Sequence, residues 1–440
     1  MTSIEALILE HRTKDVNRLS LKWHGMPEAA WMIAQVEGWQ KLRKKVPSWT
    51  NIESLHYPKR LSVEQCSSEQ TAKYKADIIR RKMQQLPHPA AMADITGGFG
   101  VDCSFLSPLF FKAFYVERDE ALCSTMQHNA PLLQLDNLSI VNEDGTEWLQ
   151  KQSHLDFVFI DPARRSSGGK KLISLLDCEP NVVNLLPTLK EKATWVMLKL
   201  SPMLDISIAL KQTENYAEEV HILGVNGECK ELLLLMNMEK QTSDPIIVCA
   251  DGKELLRFTQ QEENTASFLA TSVQNENTSR QNNNTSSQDK AGSTKNEDTS
   301  IQNEAISSPK NTNTPQSYYA TDIAAYLYEP NPTILKAGAF HTVAKRYSLQ
   351  KLHPNTHLYT ANTLVTDFPG RVFRVISVIE YSKKELKKIS NRQTNLSARN
   401  FTETTEQLRK KLRLRDGGSE YWFATTYFPS RKAVIICEKA

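Results

Sequence analysis

The stretch that decides the fold is Asp94-Ile95-Thr96-Gly97-Gly98-Phe99-Gly100-Val101-Asp102. A short apolar run at 90–93 precedes it, and a helix-compatible run at 103–106 follows it. This is the order of a strand, a glycine turn and a helix at the start of a nucleotide-binding α/β unit. Glycine lets the backbone approach a ligand closely, and the first turn of a helix offers unpaired N–H groups. The stretch therefore predicts a ligand site at the end of the first strand.

Strands and helices alternate over residues 86–240, which is typical of a mostly parallel, doubly wound α/β sheet of Rossmann-like type. The predicted parallel strands lie at 91–95, 113–117, 138–142, 157–161 and 194–199. Two further apolar runs, 219–223 and 231–236, flank Asn226-Gly227, a dipeptide that favours a hairpin. A plain dinucleotide-binding domain does not end in such a hairpin.

Acidic residues end successive predicted strands. Asp94 closes the first strand, Glu117 closes the second, and Asp144 follows the third, with Glu143 as an alternative. The fourth strand ends in Asp161-Pro162, at the switch point where open α/β sheets bind ligands. Each acid taken singly is explained as a turn cap or as an exposed strand end. Together, one per successive strand, they predict a nucleoside along the carboxyl edge of the sheet, and a carboxylate at the position of Glu117 can accept both ribose hydroxyls.

With these residues the chain resembles the class I S-adenosylmethionine-dependent methyltransferases, whose first motif is Asp-x-x-x-Gly-x-Gly. The resemblance implies S-adenosylmethionine as the cofactor and an antiparallel hairpin as the last two strands of the sheet. It implies that Asp94 organises the turn and contacts the methionine end of the cofactor, and that Asp144 receives the adenine amine. The glycines that the resemblance places against the cofactor are Gly97, Gly98 and Gly100.

The run Asp161-Pro162-Ala163-Arg164-Arg165 resembles the fourth motif of nucleic-acid methyltransferases. The resemblance implies that Asp161 and Pro162 orient the acceptor for in-line displacement, a reaction in which the protein mainly supplies position. In the amine-methylating branch, a second proline and an aromatic residue stand at the positions of Ala163 and Arg164. Because this chain lacks both, the motif does not identify the acceptor atom. The run is also similar to the branch that methylates C5 of RNA pyrimidines, but Leu200 occupies the position of its cysteine nucleophile. A covalent cysteine intermediate is therefore not expected.

Two other interpretations explain part of this sequence pattern. In a nicotinamide-dependent oxidoreductase the third fingerprint glycine would fall at Cys103, and the hairpin and Asp161-Pro162 would have no explanation. A non-catalytic RNA-binding protein on the same fold stays open because the loop at Ala163 and Arg164 departs from the amine-methylating pattern. Arg164 and Arg165, with two lysines further along their loop, are expected either to contact phosphate or to be solvated.

The rest of the chain divides by composition. Residues 1–85 are predicted to be a helical region. The basic face of its last helix, which carries Lys73 and Lys75, is expected to be solvated, with nucleic-acid contact as the alternative. Residues 241–270 are expected to be a connecting segment. Residues 271–316 are rich in Asn, Ser, Thr and Gln, which predicts a disordered linker. A small α+β module follows, with predicted helices at 322–327 and 332–340, strands at 373–381, 421–427 and 433–437, and a basic helix or turn at 406–415.

The carboxyl-terminal part of the chain carries a basic excess. From Asp367 to Ala440 it holds 16 lysines and arginines against 8 acids, an excess of 8 in a chain whose net charge is +4. Such a concentration favours a polyanionic partner. The runs Tyr328–Pro332 and Leu408–Arg415 resemble a bacterial group of methyltransferases with a ferredoxin-like segment, here 317–366, and a THUMP-like domain, here 367–440. THUMP-type modules are associated with RNA, so the resemblance implies an rRNA or tRNA acceptor.

Composition also limits the cellular setting. No run approaches the 18 to 20 apolar residues of a membrane span, and the first residues lack the pattern of a signal peptide. The seven cysteines are scattered without a Cys-x-x-Cys pair. We therefore expect a cytoplasmic protein with no metal site and no membrane contact.

Overall fold

Nine strands form the central sheet of the first of two compact units, Met1–Arg257. They belong to a computed structural model that describes residues 3–84, 90–164, 174–268, 270 and 318–440. The strands of this part, including the short ribbon β5–β6 outside the sheet, are β1 (Ala91–Asp94), β2 (Lys112–Val116), β3 (Leu138–Val141), β4 (Leu155–Ile160), β5 (Ala163–Arg164), β6 (Cys178–Glu179), β7 (Ala193–Leu200), β8 (Ala217–Val225), β9 (Glu228–Asn237), β10 (Ile246–Asp251) and β11 (Lys253–Thr259).

The strand order is β3-β2-β1-β4-β7-β9-β8-β10-β11. Neighbours from β3 to β7 pair in parallel, whereas β9 is antiparallel to both β7 and β8. Asn226 and Gly227, with φ of 55° and 76°, make the tight turn between β8 and β9. The α/β fold class and the antiparallel hairpin are confirmed, but the hairpin does not supply the last strands of the sheet, because β10 and β11 follow it. The strand order reverses between β1 and β4, which is where ligands bind in such sheets.

Ten helices lie in the first unit's described residues. They are α1 (Ser3–His11), α2 (Val16–Lys22), α3 (Ala29–Lys45), α4 (Arg60–Gln65), α5 (Glu69–Met83), α6 (Val101–Leu106), α7 (Glu120–Leu132), α8 (Gly145–Lys151), α9 (Val182–Lys192) and α10 (Ile206–Gln212). Helix α5 packs Ala76 and Ile79 against Met92, Phe157 and Phe159 of the sheet. Apolar burial of this kind supplies most of the stability of such an interface.

Helix α5 also corrects one expectation. Lys73 is solvated as expected, but the side chain of Lys75 is fully buried and ion-paired. Helical spacing explains the difference, because Lys75 shares the face of Ala72, Ala76 and Ile79, which packs inward.

The segment 241–270 is more than a connection. Residues 246–251 and 253–259 form β10 and β11, which extend the sheet beyond β8, and residues 260–268 are helical. The run Ile246–Ala250 is apolar without alternation because β10 is mostly buried, so it lacks the period that marks a half-exposed strand. The expected disordered linker at 271–316, and Arg165 with the two lysines of its loop, lie outside the described residues.

The second unit, Phe258–Ala440, contains a seven-stranded sheet. Its order is β13-β14-β12-β15-β18-β17-β16, from β12 (Tyr326–Pro330), β13 (Gln350–His353), β14 (Thr356–Ala361), β15 (Gly370–Glu380), β16 (Asn395–Arg399), β17 (Tyr421–Tyr427) and β18 (Arg431–Lys439). Its helices are α11 (Pro332–Ala337), α12 (Phe340–Arg346), α13 (Lys383–Lys388) and α14 (Thr405–Leu412).

Two sequence expectations for this unit are corrected. The helix expected at 322–327 is absent, and β12 begins there at Tyr326, because Leu327 enters the sheet core. The helix expected at 332–340 is split in two by Gly338, whose φ of 76° ends α11. The strands expected at 373–381, 421–427 and 433–437 and the basic helix near 406–415 are confirmed.

Among the described residues, no helix combines the length and the apolar character that crossing a bilayer requires.

Candidate active site

All eight predicted site residues line one cavity of about 1310 Å³, here named the edge cavity. It lies where β1, β2, β4 and β7 end, at the reversal of the strand order. Typical ligand pockets measure roughly 300–1,000 Å³, so this cavity is larger than a typical pocket for one ligand. The residues it brings together are Asp94, Gly97, Gly98, Gly100, Glu117, Asp144, Asp161 and Pro162.

The glycine turn, residues 97–100, forms one wall of the edge cavity. Gly98 and Gly100 have φ of 55° and 82°, in the left-handed region that favours glycine. A Cβ on Gly100 would lie 2.0 Å from the Met126 methyl carbon, whereas one on Gly98 would meet nothing closer than 3.7 Å. From strand β2, the Tyr115 hydroxyl donates a hydrogen bond to the Gly98 carbonyl at 2.5 Å. The hydrogen bond from Tyr115 thus holds the turn on the side that faces the sheet. At Gly98 no side chain stands between the backbone and the cavity.

Glu117 and Asp144 support backbone as well as lining the cavity. Glu117 accepts the backbone N–H of Gly98 at 2.8 Å through Oε2 and that of Asp119 at 2.9 Å through Oε1. Asp144 is the N-cap of α8, and Oδ1 accepts the backbone N–H of Thr146 at 2.9 Å. The hydrogen bond from the Thr146 hydroxyl lowers the pKa of Asp144. Oδ1 of Asp144 therefore caps α8.

Of the two acids considered after the third strand, only one borders the edge cavity. Asp144 lines it, whereas Glu143 is exposed, does not line it and pairs with Lys151 at 2.7 Å.

Asp94 is almost completely buried, with 1 % of its surface exposed. Its Oδ1 accepts the backbone N–H of Thr96 at 3.0 Å. Burial raises the pKa of Asp94 to about 8, although the Thr96 N–H opposes the shift, and the charges of Asp102 and Asp161 raise it further. The carboxyl group of Asp94 therefore holds its proton to a higher pH than an ordinary aspartate does.

Asp161 follows β4 and lies beside a lysine. Its Oδ2 is 2.6 Å from Nζ of Lys199, near the end of β7, the neighbouring strand. Burial raises the pKa of Asp161, and the Lys199 ammonium opposes this shift. After Pro162 the backbone forms the β5–β6 ribbon, in which Ala163 pairs with Glu179.

Sequence reasoning missed four buried charged side chains, Lys75, Asp102, Lys199 and Glu231, that join Asp161 in one network. We call Lys75, Asp102, Asp161, Lys199 and Glu231 the charge cluster. Lys75 Nζ lies 2.9 Å from Asp102 Oδ1 and 2.6 Å from Glu231 Oε2, and Lys199 Nζ lies 3.3 Å from Asp102 Oδ2. These residues come from α5, α6, the residue after β4, β7 and β9, so their proximity is a property of the fold. The one sequence signal was Lys75, which stands on an apolar helix face.

In the described residues no three metal-binding side chains cluster in a way that could hold a metal ion. The edge cavity is lined by glycine backbone, by carboxylates and by the basic side chains of Arg118, Lys199 and Lys230.

Comparison with known proteins agrees with this architecture. Residues 326–369 match a ferredoxin-like domain and residues 370–439 match a THUMP domain-like model. No match is found among curated proteins. A crystal structure from Porphyromonas gingivalis W83, assigned to the methyltransferases, is 30 % identical, with 100 % of this chain and 98 % of that chain covered at a TM-score of 0.76.

A second solved structure, a SAM-dependent methyltransferase from Agrobacterium tumefaciens, is 13 % identical over 42 % of this chain and 58 % of that chain, with a TM-score of 0.27. A similarity this low adds nothing to the full-length match. The chain belongs to the class I S-adenosylmethionine-dependent methyltransferase family whose members carry a ferredoxin-like segment and a THUMP-like carboxyl-terminal domain.

Proposed function

We propose that the protein transfers the methyl group of S-adenosylmethionine to RNA, with rRNA or tRNA as the acceptor class. The observation that carries this proposal is the convergence of all eight predicted residues on the edge cavity. The acceptor class implies action in the cytoplasm.

The residues of the cavity fit the cofactor. Bare backbone at Gly98 leaves room for close approach of the methionine end, and Asp94 lies at the base of the same turn. Each oxygen of Glu117 accepts one backbone N–H, and a carboxylate oxygen has capacity for a second donor, here a ribose hydroxyl. Asp144 would receive the adenine amine. When bound, the cofactor supplies an electrophilic methyl group.

Asp161 and Pro162 are the proposed catalytic residues. Burial makes Asp161 a stronger base than an ordinary carboxylate, so it suits a role as acceptor of the nucleophile's proton. The carbonyl group of Pro162 would orient the acceptor beside it. In-line displacement at carbon depends mainly on such positioning, which can supply several orders of magnitude in rate.

The RNA assignment is supported by the THUMP domain-like match and by the basic excess of residues 367–440. Lysine and arginine contacts to phosphate dominate affinity for nucleic acids and make it depend on salt. A solubility role for the same charges would give no salt-dependent RNA binding.

The test uses the purified full chain, methyl-labelled S-adenosylmethionine and total RNA from a strain that lacks the gene. We expect label in RNA with the wild-type chain and none with Asp161→Ala, while the affinity of Asp161→Ala for S-adenosylhomocysteine stays within a few fold. RNA binding without label in RNA or protein would instead identify a non-catalytic RNA-binding protein. Loss of both cofactor binding and turnover in Asp161→Ala would contradict its catalytic role.

A further inference from the structure

Positive and negative side chains alternate in the charge cluster. Lys199 Nζ lies between Asp161, at 2.6 Å, and Asp102, at 3.3 Å. Behind it, Lys75 bridges Asp102 and Glu231. Three carboxylates thus face two ammonium groups. Asp161, Asp102, Lys199 and Glu231 reach the edge cavity, whereas Lys75 lies behind its wall with no exposed surface.

The surroundings of Lys199 keep it charged. Burial by itself lowers the pKa of Lys199, but Asp161, Asp102 and Glu231 outweigh burial and raise that pKa well above its usual value. Burial likewise opposes ionisation of Asp102, yet Lys75 and Lys199 hold its pKa low. Lys199 is therefore a fixed hydrogen-bond donor and cation, while Asp161 beside it is the proton acceptor.

This pair discriminates between acceptor atoms by charge. A nitrogen nucleophile becomes positive as its lone pair bonds to the methyl carbon, and the Lys199 ammonium cancels the stabilisation that a lone carboxylate would give. A hydroxyl oxygen instead develops negative charge as its proton leaves, and a preorganised cation stabilises that charge. In addition, Pro162 is followed by Ala163 and Arg164, so no aromatic ring is supplied there for stacking on a base.

We propose that Lys199 and Asp161 act together on a hydroxyl acceptor, the ribose 2′-hydroxyl of RNA, a proposal that rests on the methyl transfer to RNA proposed above. Lys199 is then a catalytic residue that hydrogen-bonds the acceptor oxygen.

The proposed step balances as follows. The hydroxyl proton moves to Asp161, an oxygen lone pair forms the new bond to the methyl carbon, and the electron pair of the carbon–sulfur bond stays on sulfur. The products are a 2′-O-methyl ether and a neutral thioether. The proton on Asp161 is then released to solvent through the edge cavity.

The closing experiment determines which atom carries the label. Wild-type enzyme labels RNA with the methyl-labelled cofactor, and the RNA is then hydrolysed completely in alkali. Alkaline cleavage requires a free 2′-hydroxyl, so we expect the label in alkali-resistant dinucleotides. Label in mononucleotides would overturn the hydroxyl acceptor and leave methyl transfer to RNA intact. Absence of label from RNA would overturn both proposals.

Variants of Lys199 test its role independently. We expect Lys199→Met to lower kcat at least 100-fold, in the range found for loss of one oxyanion donor. Lys199→Arg should recover part of that loss, and S-adenosylhomocysteine affinity should stay within threefold in both variants. Without the ammonium the pKa of Asp161 rises, so the acidic limb of the kcat–pH profile should move to higher pH in Lys199→Met.

The matched control is Lys190→Met. Lys190 is ion-paired with Glu214 at 2.7 Å and does not line the edge cavity, so its loss should leave kcat and the pH profile unchanged. A Lys199→Met enzyme with kcat within threefold of wild type, or with an unshifted pH profile, would overturn the role of Lys199.

Discussion

The hydroxyl of Thr96 accepts a hydrogen bond from the backbone N–H of Asp161 at 2.7 Å. The same hydroxyl lies 3.3 Å from Oδ1 of Asp94, to which it donates. One small side chain thus joins the acid before the glycine turn to the acid that follows β4. The two halves of the edge cavity, proposed for cofactor and acceptor, are held in register by this contact.

Removing the hydrogen bond between the Asp161 N–H and the Thr96 hydroxyl should loosen the alignment of the two halves of the edge cavity. Thr96→Val keeps the shape of the side chain but leaves the Asp161 N–H without its partner, which costs about 1–3 kcal/mol for a buried group. We expect a lower Tm and a kcat reduced about tenfold, since small misplacements near the reacting atoms are costly. Thr96→Ser retains the hydroxyl and serves as the control. Equal Tm and kcat values for the valine and serine variants would show that the contact contributes to neither stability nor activity.

The buried carboxyl group of Asp94 should reduce stability as pH rises. Its folded pKa of about 8 exceeds the ordinary value of 3.8, so the folded state alone holds the proton between those pH values. Across this window the group lowers the free energy of unfolding by about 1.4 kcal/mol per pH unit. Asp94→Asn removes this slope. We expect the variant to match wild type near pH 4 and to have the higher Tm at pH 8, while binding S-adenosylhomocysteine more weakly. Parallel Tm–pH curves for the two proteins would rule out this account of Asp94.

Gly100 should tolerate substitution less well than another left-handed glycine. An alanine at a left-handed position costs roughly 1–2 kcal/mol in backbone strain. At Gly100 the new methyl also collides with Met126, which adds roughly 1–3 kcal/mol of overpacking. Gly227→Ala is the matched control, because its φ is 76° and nothing lies within 4 Å of the added Cβ. Thermal unfolding should place Gly100→Ala clearly below Gly227→Ala, and the reverse order would be inconsistent with this packing.

Lys75 should be a major contributor to folding stability although it does not line the edge cavity. Lys75→Met leaves the buried carboxylates of Asp102 and Glu231 without their bridging ammonium, and breaking such a pair typically costs about 3–5 kcal/mol. Lys73→Met, two residues away on the same helix, removes a largely exposed ion pair with Glu69 and should change stability by about 0.5 kcal/mol or less. Denaturant unfolding of both variants measures the difference. Similar losses in the two would mean that the buried bridge carries little energy.

Much of the fold was predictable because it depends on local signals. The hairpin at Asn226-Gly227 and the glycine turn at 97–100 follow from backbone demands that few other residues meet. The strand-end acids met at one edge because parallel strands share the direction of their carboxyl ends. Local signals also misled at 322–327, where a helix was expected but Tyr326 and Leu327 pair with β15 as the start of β12.

The half of the cavity proposed for the acceptor was less predictable, because its residues come together only through the fold. Asp102 and Glu231 are far apart in the sequence, and nothing local marks either as a partner of Lys75. Thr96 lies inside the quoted motif, but its contact with Asp161 requires the pairing of β1 and β4. A charged residue on an apolar helix face, such as Lys75, is the kind of local conflict that marks a functional or structural network.

The most direct test of cofactor binding at the edge cavity is calorimetric titration of the full chain with S-adenosylhomocysteine, with NAD titrated in parallel. We expect saturable one-to-one binding of S-adenosylhomocysteine, weaker binding in Glu117→Gln, and no binding of NAD. Binding of NAD without binding of S-adenosylhomocysteine would contradict the assignment of the glycine turn and the strand-end acids to this cofactor.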